Sequence, residues 1–156
     1  MPARLDHSFF EEEVRPHLGS ILLEKGLVSH EQLDQALEER KQTGELLGEA
    51  LVRLGYVFED ELARVLAAQE GLEFVDVAAV SADPSAARLL DRDLSDQLRA
   101  IPIRFANDGL VVAVADPMLP NLKRQLEAAT SHRVQMVVTM PSAVSTAWRL
   151  MRRSVI

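Results

Sequence analysis

Leu18-Gly19-Ser20-Ile21-Leu22-Leu23-Glu24-Lys25-Gly26-Leu27-Val28 and Leu47-Gly48-Glu49-Ala50-Leu51-Val52-Arg53-Leu54-Gly55-Tyr56-Val57 are two versions of one phrase, set 29 residues apart. At that offset Leu18/Leu47, Gly19/Gly48, Leu22/Leu51, Gly26/Gly55, Val28/Val57, Leu33/Leu62 and Leu37/Leu66 are identical, and Glu31/Asp60 keep their charge. Every identity is a glycine or an aliphatic residue, which is the signature of a duplicated packing unit. Within each copy Leu18, Ile21, Leu22 and Leu47, Ala50, Leu51 recur at i, i+3, i+4, one face of a helix. Gly26 and Gly55 then stand where a helix ends on a left-handed residue. Ser29 and Gln32 form a capping-box pattern before the next apolar stripe, Leu33, Ala36 and Leu37. In the second copy Phe58 replaces Ser29, so that cap is weaker, before Leu62, Val65 and Leu66. Each copy therefore predicts a short helix, a glycine stop and a longer helix, joined by Lys41-Gln42-Thr43-Gly44-Glu45.

After Gly71 the pattern changes. Glu73-Phe74-Val75-Asp76-Val77 predicts a short strand, and Ser81-Ala82-Asp83-Pro84 a loop closing on an Asp N-cap with Pro at the first helical position. Ala86–Leu90 and Leu94–Leu98 read as short helical pieces. Ala100-Ile101-Pro102-Ile103-Arg104-Phe105 and Gly109-Leu110-Val111-Val112-Ala113-Val114-Ala115 are β-rich runs flanking Asn107-Asp108-Gly109. The Asp-Gly pair between them signals a hairpin turn. Pro102 marks a strand start or an edge. Asn121–Thr130 reads as a helix, Val134–Thr139 as a strand and Ala143–Arg152 as a last helix. Trp148 and Met151 are expected to pack on the sheet, with Arg149, Arg152 and Arg153 on a rim. The fold class is α+β: an N-terminal helical repeat of two helix-turn-helix copies, then a small α/β module whose short sheet is flanked by helices. The boundaries are 1–16 for an N-terminal extension, 17–70 for the repeat and 71–156 for the α/β subdomain.

The whole chain has 156 residues, 47% apolar and 26% charged, the composition of an ordinary folded protein of one domain or two small ones. It has no cysteine, which removes disulfides, thiolate metal sites and cysteine nucleophiles. Neither an 18-residue apolar run nor a signal-peptide core is present, so the expectation is a soluble, cytoplasmic protein without a direct membrane span. Residues 1–70 hold 7 Lys/Arg against 15 Asp/Glu, while 71–156 hold 10 against 9. Such an acidic half opposes a nucleic-acid polymer as partner, and with it a helix-turn-helix DNA regulator. The sequence lacks a Gly-x-x-x-x-Gly-Lys-Ser/Thr phosphate loop, a Gly-x-Ser-x-Gly elbow and a His-Glu-x-x-His pair. His7, His30 and His132 show no ligand spacing. No enzyme activity, catalytic residue, metal or cofactor is expected. Glu11-Glu12-Glu13 reads as a solvated run, and Asp116-Pro117 as turn chemistry.

Doubled with a five-residue spacer, Leu-Gly-x-x-Leu-x-x-x-Gly-x-x-x-x-x-x-Leu-x-x-x-Leu resembles the N-terminal domain of type II secretion and type IV pilus assembly ATPases, the MshEN or GspE/PilB N-terminal domain. The segments Ile101-Pro102-Ile103-Arg104-Phe105 and Leu110-Val111-Val112-Ala113-Val114-Ala115-Asp116-Pro117 extend the resemblance over roughly residues 17–150. It implies a regulatory or docking domain that engages an inner-membrane platform protein or the motor ATPase, peripheral at the inner membrane through that partner. It also implies the ligand cyclic-di-GMP, making a sensor the alternative function.

In that family each repeat opens on Arg-Leu-Gly and closes on Gln. Here the arginine positions hold His17 and Leu46, and the glutamine positions hold Arg40 and Gln69. Three of four polar anchors depart, while the leucine and glycine frame is kept. The implied ligand site is therefore His17, Leu18, Gly19 and Leu22 with Arg40, and Leu46, Leu47, Gly48 and Leu51 with Gln69. Free N–H groups at each helix start suit an anion, glycine leaves room for a base or phosphate, and two near-equal copies suit a ligand with two equal halves. Arginine's planar fork is what His17 and Leu46 lack, so binding is expected to be weaker than in members with both arginines. The same leucines and glycines also read as core and close-packing residues.

Overall fold

The computed structural model describes residues 16–154, with side chains from Leu18 to Met151. The expected N-terminal extension, including Glu11-Glu12-Glu13 and His7, lies outside the described residues but for Pro16, as do the side chains of His17, Arg152 and Arg153. Among the described residues four helices come first: α1 (Pro16–Glu24), α2 (His30–Thr43), α3 (Leu47–Arg53) and α4 (Glu59–Glu70). The chain divides into two compact units, Met1–Leu62 and Ala63–Ile156, and α4 starts in the first and runs into the second.

The duplication is visible bond by bond. At the end of α1 the Gly26 N–H donates to Leu23 O and the Leu27 N–H to Leu22 O; at the end of α3, Gly55 and Tyr56 repeat this with Val52 O and Leu51 O. These paired 5→2 and 6→1 bonds are Schellman stops, and they require the left-handed conformation that Gly26 (φ 69°) and Gly55 (φ 80°) adopt without a Cβ clash. Gly71 and Leu72 close α4 with the same two bonds. At the start of α2 the capping box forms as expected, Gln32 N–H to Ser29 Oγ at 3.1 Å and Ser29 N–H to Gln32 Oε1 at 3.0 Å. Leu18, Leu22 and Leu51 are fully buried, each contributing about 1.5–3 kcal/mol of burial free energy.

The second unit continues with α5 (Pro84–Ala87), α6 (Arg92–Leu98), β1 (Ala100–Ala106), β2 (Gly109–Val114), α7 (Leu122–Thr130), β3 (Val134–Val138) and α8 (Pro141–Ser154). The strand order is β1-β2-β3, with β1 and β2 antiparallel and β2 and β3 parallel through α7. Being central, β2 is apolar on both faces. Leu110, Val112 and Val114 pack with Leu122 and Leu126 of α7; Val111 and Ala113 pack with Ala143, Val144, Ala147 and Met151 of α8. The sheet is thus clad by helices on both sides, an α+β architecture. Asp83 caps α5 through Ser85 N–H, with Pro84 at the first position. Trp148 is half-buried against the α8 face, and its Nε1–H donates to the buried Ser95 Oγ at 2.9 Å.

Two local expectations are corrected, and the edge strand β1, where Pro102 was expected to mark an edge, adds an irregularity of its own. Of the strand expected at 73–77, only Phe74 pairs, in a parallel bridge to Val138, because the Asp76 side chain and carbonyl accept the Ala78 and Ala79 N–H groups and turn the chain. The hairpin turn is Asn107-Asp108, since Ala106 pairs with Gly109 as the first residue of β2. Gly109 is there for clearance: a Cβ on it would stand 2.2 Å from Arg133 O. Finally, the β1 register slips between Pro102 and Arg104, leaving Ile103 as a bulge whose carbonyl accepts the Asp83 N–H at 2.8 Å.

Candidate ligand and docking site in the helical repeat

Each Leu-Gly pair sits in the opening of its short helix, but in different registers. Leu47 and Gly48 are the first two residues of α3, whereas α1 begins at Pro16, two residues before Leu18. Leu18, Leu22, Leu47 and Leu51 are buried, Leu22 and Leu51 completely. Gly19 and Gly48 are buried too, and both are packing surfaces for the long helices. A methyl on Gly19 would lie 3.1 Å from Leu33 Cδ2, and one on Gly48 2.7 Å from Leu62 Cδ2. The absent side chains are what let short and long helix approach in each copy.

The polar anchor positions are more open. Leu46 is half-buried and precedes α3 in extended conformation. Arg40 is half-buried in the last turn of α2, and its carbonyl takes the Gly44 N–H that ends the helix. Gln69, half-buried on α4, belongs to the second unit; its Oε1 is buried with no hydrogen-bond partner among the described residues.

Charge at the second helix start comes from the chain itself. The Leu46 N–H donates to Glu49 Oε1 at 3.1 Å, so a carboxylate already serves the positive end of α3. One residue before Leu46, Glu45 receives a two-pronged bond from Arg53, with Nη2 to Oε1 at 2.6 Å and Nε to Oε1 at 3.0 Å. Arg53 Nη2 also reaches Glu39 Oε2 of α2 at 3.1 Å, tying the two helices together. Hydrogen bonding from Arg53 holds the Glu45 carboxyl below the usual carboxylate range, and Glu45 followed by Glu39 raises the Arg53 guanidinium. In the first copy Ser20 stands where the second has Glu49, so the two helix starts are electrostatically unlike. Glu45, Glu49 and Arg53 escaped the sequence reading, although a Glu three residues after a helix-preceding position is a recognisable capping signal.

Residues 70–155 match the MshEN domain. The chain belongs to the MshEN family. MshEN is the domain type of the GspE/PilB N-terminus. This MshEN chain is 50% identical over 103 residues to the type IV pilus assembly ATPase PilB of Thermus thermophilus, covering 64% of the chain and 11% of that protein. It is 27% identical over 130 residues to PilB of Myxococcus xanthus, covering 83% of the chain and 23% of that protein. The chain thus spans between about a tenth and a quarter of these curated relatives. Among solved structures it superposes on MshE with cdg at a TM-score of 0.71 and 31% identity, covering 86% of this chain and 97% of that one. The N-terminal domain of XpsE shares the fold at a TM-score of 0.74 and 22% identity, covering 87% and 94%. No helix among the described residues is long and apolar enough to cross a membrane.

Proposed function

We propose that this MshEN domain is a non-catalytic docking and regulatory module of a type IV pilus or type II secretion motor. It engages an inner-membrane platform protein or the motor ATPase, and through that partner it works on the cytoplasmic face of the inner membrane. Residues 17–70 supply the helical repeat and 71–156 the α/β support. Family membership and the 50% identity to a pilus ATPase favour this setting.

The observation that carries docking ahead of ligand sensing is the second helix start. Leu46 stands there in place of a cation, and the Glu49 carboxylate, bonded to the Leu46 N–H, already puts a negative charge at the helix end where an anion would sit. A dianionic dinucleotide meets like charge at that point, in a segment whose residues 16–62 hold 4 Lys/Arg against 10 Asp/Glu.

The second reading is a cyclic-di-GMP sensor, favoured by the likeness to MshE with cdg, read as cyclic-di-GMP. In it the ligand lies at the repeat starts, His17-Leu18-Gly19 and Leu46-Leu47-Gly48. Arg40 and Gln69 close the respective copies, and the buried Leu22 and Leu51 support the frame.

Isothermal titration with cyclic-di-GMP separates the readings. No heat up to high micromolar ligand, together with co-purification of a pilus or secretion component, supports docking. Micromolar or tighter binding without any such component makes the domain a sensor.

A further inference from the structure

The repeat provides an internal control for one residue. In the first copy the residue before the long helix is Ser29, whose side chain caps α2. The equivalent residue before α4 is Phe58, which has no side-chain acceptor; only the reciprocal half of the box survives, Phe58 N–H to Glu61 Oε1 at 3.2 Å. Phe58 is not a core residue, since its side chain is 74% exposed. Nor does it act as the hydrophobic staple of α4, because the staple positions are Val57 and Leu62, both buried. The second copy has therefore exchanged a good cap for an aromatic ring in water, a change that folding alone does not reward.

The surroundings define what the ring would meet. Tyr56 donates its hydroxyl to Gln35 Oε1, laying this turn against one face of α2. Glu31 and Glu38, both exposed, lie one helical turn either side of Gln35 on that face. The exposed Asp60 stands two residues beyond Phe58. An exposed aromatic ring, with Asp60 two residues on and a glutamate-bearing helix face held by the neighbouring Tyr56, has the form of an interface anchor with a charged rim. A second copy presenting the same surface would bring acid against acid, so self-association through it is opposed.

We propose that Phe58 is the anchor of a docking surface for a basic segment of a partner protein, one that offers an apolar pocket ringed by Lys or Arg. This rests on the docking function proposed above and names the surface and the chemistry of the partner. Carboxylates at the rim speed encounter with a cationic partner and make binding salt-sensitive, while ring burial supplies the hold.

The test places p-benzoylphenylalanine at position 58 of the full chain in cells and maps the photo-crosslinked peptide. An adduct to a Lys/Arg-rich segment supports the proposal; an adduct to an acidic segment or a second copy, or none, overturns it. Phe58→Ser restores the cap and is expected to raise the melting temperature by about 2–4 °C while lowering partner capture at least tenfold. Asp60→Lys is expected to fold normally and to lower capture similarly, whereas unchanged capture in either variant overturns the proposal. A fall in melting temperature for Phe58→Ser assigns the ring a structural role instead. If Phe58→Ser still recovers the pilus or secretion component, docking stands and this surface is wrong. If the unmodified chain recovers none, the docking function itself fails.

Discussion

Gly48 and Leu62 are packed so closely that a methyl group on the glycine would stand 2.7 Å from Leu62 Cδ2, while the equivalent pair in the first copy, Gly19 and Leu33, leaves 3.1 Å. Leu62 is buried and Leu33 half-buried, so only Leu33 has room to yield. Alanine gains about 0.5–1 kcal/mol over glycine inside a helix, against about 1–3 kcal/mol for an overpacked core. Gly19→Ala is therefore expected to be neutral or slightly stabilising and Gly48→Ala to destabilise by about 1–2 kcal/mol. Urea titration of both variants checks this, and equal effects would refute the asymmetry.

Gly109→Ala should be far more severe. Its Cβ would meet the backbone oxygen of Arg133 at 2.2 Å, and that carbonyl also accepts the Leu110 N–H at 2.8 Å. Neither backbone can yield without opening the β2–β3 junction. A loss above about 4 kcal/mol, or no soluble folded protein, is expected by circular dichroism. A mild effect would show that the strands have slack here.

Trp148 and Ser95 form a link between α8 and α6 that two substitutions can divide. Trp148→Phe keeps an aromatic ring at this position but removes the Nε1–H bond to Ser95 Oγ and part of the indole's packing, at a cost of at least about 1 kcal/mol. Ser95→Ala also deprives the Ala100 carbonyl of its hydroxyl donor and should cost about 1–3 kcal/mol. In the double variant the losses should fall short of additivity, because both act through one hydroxyl.

Acid should weaken the pair that Glu45, between α2 and α3, makes with Arg53. Glu45 has a lowered pKa through its Arg53 bonds, so its contribution is present above the ordinary carboxylate range and is lost as pH falls through the folded value. The stability difference between the unmodified chain and Glu45→Gln should be full at pH 7 and should shrink as acid is added below the ordinary carboxylate range. It should also shrink in high salt, since the pair is at the surface. A difference that persists at low pH would assign the effect to packing.

Cyclic-di-GMP affinity should respond to the second helix start if the dinucleotide binds there. Leu46→Arg is expected to tighten binding by about 1–3 kcal/mol through a charge-assisted bond. Glu49→Gln keeps an acceptor for the Leu46 N–H while removing the opposing charge, and should tighten it further. A folded Leu46→Arg protein with unchanged affinity would place the ligand elsewhere.

Local chemistry was the legible part of this molecule. The glycine stops at 26 and 55, the Ser29–Gln32 box and the Asp83-Pro84 helix start each lie within a few residues of sequence, and each forms as read. Contacts made across the chain were not legible. Arg53 meets Glu39 across 14 residues and Trp148 meets Ser95 across 53, and neither pairing has a periodic signature. Gly109 shows the same limit: Asp-Gly suggested a turn, whereas a carbonyl 24 residues later demands the missing side chain. At the candidate site, the packing role of the leucine stripe was legible, and its members are buried. Glu49 left a capping signal three residues after Leu46, whereas the pairing of Glu45 with Arg53 had no signature.

The bulge in β1 bears on how tightly copies of this domain can be crowded. A strand arriving beside the sheet along β1 would find no N–H on Pro102, an Ile103 carbonyl already engaged by Asp83 and an exposed charge on Arg104. Three consecutive residues thus interrupt the ladder that an intruding strand would have to copy. Many copies held at high local concentration can lie side by side without their sheets fusing into a fibre.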